Sequence, residues 1–234
     1  VALPGDTSRM TKFERETQED WSSALTAAFA FAESLMHGAF GHPPLQLNIV
    51  SYNILVKACC YRGALWRAIS ILEDTLPNQG IEPDTITYTT IISGLARVGD
   101  VPKMKELQLQ MVNRGIQMDS QTVGCMVHGM LNIGDVGGAV SWVQDTFNQY
   151  SLLPPYTYHL KIIEFALASG SVFEAKRHVY FIQQLHKWKP NDKYHSEELQ
   201  TLIYYAQQNP RLSKDALQDL FAYFGETLDD TEFF

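Results

Sequence analysis

Apolar side chains recur along this chain at steps of three and four residues, the spacing of an α-helix with one buried face. Examples are Leu65, Ile69 and Leu72 in one segment and Val140, Val143 and Phe147 in another. Most such segments are about a dozen residues long and end at a glycine. The pattern predicts a series of short helices joined by tight connections.

One segment departs from this pattern. Residues 85–92, with the sequence TITYTTII, are mostly β-branched, and β-branched side chains favour strands. Taken alone, the segment would be a buried strand that follows a turn at Pro83 and Asp84. Its place in the repeat described next predicts the start of a helix instead, because stacking between neighbouring units overrides a weak local propensity.

The chain repeats itself with a period of about 35 residues. Tyr52 and Tyr88 are 36 residues apart, and Tyr158 follows 70 residues later. The glycines that end the first helix of each unit keep the same spacing: Gly63, Gly99, Gly134 and Gly170. A glycine there suits a left-handed helix end, and Asp84 and Asp119 lie where a side chain would cap the next helix. This period is typical of a solenoid of stacked helix pairs.

Two successive segments, VSYNILVKACCYRGALWRAISILEDTLPNQGIEPD and ITYTTIISGLARVGDVPKMKELQLQMVNRGIQMD, share a detailed pattern. Each has an aliphatic residue, Ser or Thr, Tyr, then Asn or Thr; each has a central Gly and closes on Gly-Ile-x-x-Asp. They resemble pentatricopeptide repeats, and they lack the Trp, Leu-Gly and Tyr spacing of tetratricopeptide repeats. The resemblance implies an all-α fold, a right-handed α-solenoid of tandem antiparallel helix pairs.

The predicted organisation has about four repeats between a partial unit and a degenerate one. The repeats are residues 49–84, 85–119, 120–154 and 155–191. An N-terminal extension (1–20) and a partial repeat (21–48) precede them, and degenerate capping helices (192–224) and an acidic tail (225–234) follow. The chain begins without Met, which is typical of a mature or truncated end, so a targeting peptide is not visible.

No motif for catalysis or metal binding stands out. The sequence lacks HExxH and GxxxxGK[ST], and His178 and His186, eight residues apart on one helix, are more typical of packing or surface residues. The three cysteines form no CxxC motif, which indicates a reducing compartment, and no apolar run is long enough to span a membrane. We therefore expect no enzyme, no cofactor, no metal and no small-molecule substrate.

The family resemblance implies binding of single-stranded RNA, one base per repeat. It assigns two base-choosing positions to each repeat, namely the residue after the helix-start Tyr and the last residue of the repeat. In the first repeat these are Asn53 and Asp84, a pair that favours uracil in the family; in the second they are Thr89 and Asp119, which favour guanine. Amide, hydroxyl and carboxylate groups suit this role because they donate and accept hydrogen bonds in fixed patterns.

The resemblance also assigns supporting roles. Val50 and Ile86 lie where the family places an aliphatic side chain that sandwiches the base, and Arg97 lies where a basic residue faces phosphate. The later repeats depart from the pattern. Their base-choosing positions hold Gly124 and Pro154 in the third repeat and His159 and Asn191 in the fourth, with Gln121 and Tyr156 at the sandwich positions.

Two functions of different class remain open. The first is an organellar protein that engages single-stranded RNA through its first two repeats. The second is a structural scaffold that binds protein subunits of a large organellar complex, such as a ribosome, an RNA polymerase or a photosynthetic assembly. The net charge of −8 and the two altered repeats favour the scaffold. The family resemblance favours RNA and implies a plastid or a mitochondrion.

Overall fold

The protein is described by a computed structural model over residues 12–38 and 43–185. Side chains are described from Ser23 onward within those ranges, apart from Gln183. The predicted capping helices at 192–224, the predicted tail at 225–234, Asn191 and His186 lie outside the described residues.

All regular secondary structure in the described part of the chain is helical. The helices are α1 Lys12–Met36, α2 Ile49–Tyr61, α3 Leu65–Ser70, α4 Leu76–Asn78, α5 Thr85–Val98, α6 Val101–Asn113, α7 Ser120–Asn132, α8 Val136–Tyr150, α9 Tyr156–Ser169 and α10 Val172–Gln184. A π-helical segment, Ile71–Thr75, joins α3 to α4, so residues 65–78 form one continuous helical stretch. Helices that follow each other across short loops pack together, as α7 does with α8 and α9 with α10. The prediction of an all-α fold built from helix pairs is confirmed.

The β-branched segment is helical. It forms the first half of α5, and Tyr88, Ile91 and Ile92 within it are completely buried. Burial of each of these three side chains contributes roughly 1.5–3 kcal/mol, so together they stabilise the helix by several kcal/mol. Each β-branched residue disfavours a helix by only a few tenths of a kcal/mol, so burial outweighs the local propensity. The strand that the local sequence suggests is therefore wrong, and the helix that the repeat suggests is confirmed.

The ends of the helices follow the predicted residues closely. The four glycines of the repeat have positive φ angles: Gly63 (+74°), Gly99 (+73°), Gly134 (+79°) and Gly170 (+81°). Helix α8 ends differently, because Ser151 adopts the left-handed conformation, with a φ of 55°, where the repeat offers no glycine. Three further caps, which the sequence analysis did not single out, are Asn48 before α2, Asp100 before α6 and Asp135 before α8.

Helix α1 begins earlier than the predicted partial repeat. The sequence analysis starts that unit at Trp21, whereas the helix begins at Lys12 and runs to Met36. The added turns contain the charged run FERETQED, whose Glu, Arg and Gln residues are good helix formers. The polar segment therefore extends the helix rather than preceding it.

The described residues divide into two compact units, one that ends at Gly94 and one that begins at Leu95. The first has a core that includes Val56, Leu72 and Leu76, and the second has one that includes Leu107 and Met126. The alanines that recur at the repeat spacing, Ala68, Ala139 and Ala175, are completely buried, and all three cysteines are buried as well. Within the described ranges, no helix combines the length and the apolar character needed to cross a membrane.

Candidate nucleic-acid interface

The two base-choosing residues of the first repeat contact each other. Asn53 lies in the second turn of α2, and Asp84 immediately precedes α5. The side-chain amide nitrogen of Asn53 donates to both carboxylate oxygens of Asp84, at 3.0 Å and 3.2 Å. The amide oxygen of Asn53 accepts a hydrogen bond from the Thr87 hydroxyl at 2.6 Å. Residues 31 and 34 positions apart in the chain thus form one polar network.

Asp84 also caps helix α5. Its Oδ1 accepts from the backbone N–H of Thr87 at 2.8 Å and lies 2.9 Å from the Thr87 hydroxyl. Burial of the Asp84 carboxyl acts to raise its pKa, but hydrogen bonds from Thr87, Asn53 and the backbone of Ile86 outweigh burial and hold the pKa below its ordinary value. The network therefore contains a carboxylate that stays negative near neutral pH.

The carboxamide of Asn53 keeps part of its hydrogen-bonding capacity. The residue is 9% exposed. A primary amide has two N–H donors and two acceptor lone pairs, and Thr87 takes one of those lone pairs. If Asp84 takes one N–H, one donor and one acceptor remain side by side. Because both partners fix the orientation of the amide, any ligand meets a donor and an acceptor in a set order.

Two exposed aliphatic side chains lie in the same unit as this network. Val50, in the first turn of α2, and Ile86, in the first turn of α5, are each 61% exposed. Val50 is three residues from Asn53, and Ile86 is two residues from Asp84. Apolar side chains of this size gain free energy when a flat ring covers them. The first unit thus combines a fixed amide with two exposed aliphatic side chains, one from each of two successive repeats.

The second repeat is built differently. Asp119 is exposed and caps α7, where its Oδ1 accepts from the Thr122 backbone N–H and hydroxyl, both at 2.7 Å. Thr89 is half-buried on α5 in the first unit, whereas Asp119 lies in the second unit. Arg97 is exposed near the end of α5 and belongs to the second unit. The pairing of Thr89 with Asp119 stays a sequence prediction.

Sequence analysis did not single out Thr87. The sequence does contain a pattern that points to Thr87: Asp84 and Thr87 form an Asp-x-x-Thr spacing, and Asp119 and Thr122 repeat it. In both cases the Thr is the third helical residue and completes a reciprocal cap, in which the Asp accepts from the Thr and the Thr accepts from the Asp backbone N–H. The contact of Thr87 with Asn53 could not be inferred from that spacing.

His159, at a base-choosing position of the fourth repeat, is turned into the core. Its Nδ1 lies 3.1 Å from Nε2 of His178 on α10, and the two rings stack with centroids 5.2 Å apart. His178 is completely buried, and its Nδ1 has no hydrogen-bond partner among the residues that the structure describes. Because its ring is buried against His178, His159 cannot present its edge to a base.

Over the part of the chain that the structure describes, no group of three or more His, Cys, Asp or Glu residues could hold a metal ion.

The buried histidine pair predicts a pH-dependent stability. Burial lowers the pKa of His178 well below 6.5, and the positive charges of His159 and Arg177 add to the effect. The unfolded chain takes up a proton near pH 6.5, whereas the folded chain does so only at much lower pH. Stability is therefore full above about pH 6.5 and falls as the pH drops below it. Thermal melting, monitored by circular dichroism at several pH values between about 5 and 8, measures how steeply stability changes with pH.

A His178→Phe variant should reduce that slope, because the group that binds the extra proton only in the unfolded chain is gone. The pKa of His128 is also lowered, first by burial and then by two nearby positive charges, so His128 contributes a slope of the same sign. His128→Asn serves as the matched comparison. An unchanged slope in His178→Phe would contradict the assignment.

A sequence profile of the PPR repeat family matches residues 47–97 and 83–132. Residues 47–132 of the chain therefore contain pentatricopeptide repeats. The matched residues include Asn53, Asp84, Thr89, Asp119 and Arg97.

Three pentatricopeptide repeat-containing proteins of Arabidopsis thaliana illustrate the similarity. At2g16880 is 34% identical over 67 residues, which are 29% of this chain and 9% of that protein. The chloroplastic At3g09650 is 33% identical over 107 residues, which are 41% and 14% of the two chains. The mitochondrial At1g80150 is 35% identical over 60 residues, which are 26% and 15%. The alignments therefore span only a small part of each relative.

Solved pentatricopeptide repeat structures share the fold. The chain superposes on PPR10 in complex with an 18-nucleotide psaJ RNA element with a TM-score of 0.58 and 19% identity, covering 90% of this chain and 30% of that one. It superposes on the PPR domain of Arabidopsis thaliana protein-only RNase P 1, in complex with tRNA, with a TM-score of 0.56 and 15% identity, covering 80% and 95%.

Proposed function

We propose that this pentatricopeptide repeat protein binds single-stranded RNA through its first two clear repeats and has no catalytic role of its own. The observation that carries the proposal is the network of Asn53, Asp84 and Thr87, which holds the Asn53 amide in one orientation. A carboxamide presents an N–H donor beside a carbonyl acceptor, and this pattern complements the adjacent carbonyl and N–H groups on the Watson–Crick edge of uracil. The RNA-bound PPR10 and the tRNA-bound PPR domain among its structural relatives support the same function.

The exposed aliphatic side chains suit the faces of the base. Val50 precedes Asn53 by three residues, and Ile86 lies between Asp84 and Thr87 in the sequence. Both offer apolar surface near the starts of their helices, α2 and α5. A base covered by such side chains loses contact with water on its faces, while the amide meets its edge. The proposed first site is therefore Val50, Asn53, Asp84 and Ile86, with uracil as its preferred base.

The second proposed site consists of Thr89 and Asp119, with a preference for guanine, and Arg97 is proposed to bind phosphate. Arg97 is exposed, as a phosphate ligand must be. Two of the Arabidopsis relatives are chloroplastic and mitochondrial, which supports a plastid or a mitochondrion as the compartment of this protein.

A scaffold role is the second candidate, and one surface favours it. Phe173 and Tyr180 are 74% and 55% exposed on α10, and their spacing of seven residues places them on one side of that helix. Exposed aromatic pairs are common at protein interfaces. Pull-down of the protein from isolated organelles, with and without ribonuclease, separates the two functions. Partners that survive ribonuclease support the scaffold.

The direct test of RNA binding is fluorescence anisotropy with short RNAs that contain one uracil–guanine step. We expect Thr89→Asn to shift the preference of the second repeat from guanine toward uracil, because a carboxamide replaces the hydroxyl.

We expect Arg97→Ala to weaken binding to all sequences alike and to reduce the slope of log affinity against log salt by about 0.7, since one phosphate contact is lost.

Arg114→Ala is the matched control for charge. Arg114 is an exposed arginine at the end of α6, which is the second helix of its repeat. Its loss changes the net charge by the same amount as the loss of Arg97 and removes no residue of the proposed sites. An Arg114→Ala slope equal to that of Arg97→Ala would mean that net charge, not a phosphate contact, sets the salt dependence. Absence of binding by the unmodified chain at micromolar concentration in low salt would leave the scaffold as the function.

A further inference from the structure

The third repeat has no side chain at its base-choosing position, and the ring of a tyrosine occupies the space where that side chain would lie. Gly124 occupies that position on α7, and a Cβ atom built there would lie 2.5 Å from Cε2 and 2.8 Å from Cδ2 of Tyr158. The ring of Tyr158, which comes from α9 in the next repeat, therefore packs directly on the bare backbone of α7. The glycine does not leave a gap; it admits an aromatic ring.

The ring of Tyr158 differs from its counterparts in the earlier repeats. Tyr52 and Tyr88, at the equivalent positions, are buried, whereas Tyr158 keeps part of its surface exposed. The exposed side chain of Gln121 hydrogen-bonds the phenol of Tyr158. The ammonium of Lys161, also exposed, lies 5.3 Å from the centre of the Tyr158 ring. A partly exposed aromatic ring, an exposed amide and an exposed ammonium thus lie together.

Two cationic side chains act on His128 of α7, in the same unit as Tyr158. The pKa of His128 on α7 is lowered first by burial and then by the charges of Lys161 and Arg97. This part of the second unit combines an aromatic ring with local positive charge, although the chain as a whole carries a net charge of −8.

We propose that the third repeat binds one nucleotide of a single-stranded RNA through Tyr158 in place of a base-choosing side chain. The base stacks on the exposed part of the Tyr158 ring, and the Gln121 amide meets its edge. Lys161, a long exposed side chain that lies over the ring in the unbound protein, moves to an adjacent phosphate. Stacking tolerates every base, because every base has a π-face. The third repeat thus adds affinity without adding sequence preference. This inference rests on the proposed RNA-binding function.

The test is a cycle of two changes measured by fluorescence anisotropy. Short RNAs that contain one uracil–guanine step are made with an abasic residue at each neighbouring position in turn. In the unmodified protein, one abasic position beside the step should weaken binding about tenfold, within the range measured for a base stacked on an aromatic side chain. In Tyr158→Leu, which removes the ring, the same abasic RNA should bind no more weakly than the intact RNA. Tyr158→Phe, which keeps the ring, should retain most of the abasic effect.

Tyr150→Leu is the matched control, because it removes an exposed tyrosine from the end of α8 and should leave the abasic effect unchanged. Circular dichroism establishes that each variant is folded, and comparing two RNAs within one variant makes the result independent of small stability changes. An equal abasic effect with and without the Tyr158 ring, or no abasic effect at any position, would overturn the inference while RNA binding itself stands. A protein that binds none of these RNAs overturns both proposals.

Discussion

Asp84→Ala is expected to destabilise the first unit by about 1.5–5 kcal/mol, because this carboxylate caps a helix and also satisfies a buried amide. Loss of an N-cap side chain costs about 0.5–2 kcal/mol. Leaving the buried Asn53 amide without its acceptor costs a further 1–3 kcal/mol or so. The same substitution should abolish the preference for uracil, because the Asn53 amide then rotates to new partners.

Asp119→Ala is the matched control for Asp84→Ala. Asp119 caps α7 with the same geometry toward Thr122, but it is exposed. It closes the second repeat, which has Thr89 at the position that Asn53 occupies in the first repeat. Its loss should cost only the cap, about 1 kcal/mol. Urea unfolding of the two variants measures the difference. Equal costs would show that the contact of Asp84 with Asn53 adds nothing to stability beyond the cap.

Gly129→Leu should destabilise the second unit by about 2–3 kcal/mol through overpacking. Even a Cβ atom at Gly129 would lie 2.5 Å from the Met104 side chain and 3.2 Å from Cα of Ala96. Met104 is completely buried, so its side chain must be repacked within the core, and the backbone at Ala96 must move away from α7. Thermal melting of the second unit measures the loss.

Gly137→Ala is the comparison for a glycine in a helix that has room. The nearest atom to a Cβ there is an oxygen of Glu174 at 3.6 Å, an ordinary van der Waals contact. Alanine restricts the unfolded chain and favours the helix, so this variant should gain about 0.4–1 kcal/mol. If Gly129→Leu and Gly137→Ala change stability in the same direction, the close approach at Gly129 does not limit the packing of α7.

The candidate site could be predicted only in part from the sequence. The family pattern named Asn53 and Asp84 together, and the structure brings them into contact. It also named His159 as the equivalent residue of the fourth repeat, and that side chain is buried against His178. The pattern assigns a position on a helix, but whether a side chain at that position faces solvent depends on what the neighbouring helix offers. A second histidine on α10 offers His159 a buried hydrogen-bond partner.

The sequence by itself determined the helical period and most ends of the helices. These depend on residues that are close together in the chain: apolar side chains three or four apart, a glycine after the last turn, an Asp three residues before a Thr. The tertiary structure alone decided which polar side chains are satisfied inside and which ring covers a glycine. Asn53 finds Asp84 and Thr87 across 31 and 34 residues, and Tyr158 reaches Gly124 from the next repeat. Such contacts form only when successive helix pairs stack, because stacking brings distant residues within hydrogen-bond distance and excludes water from between them.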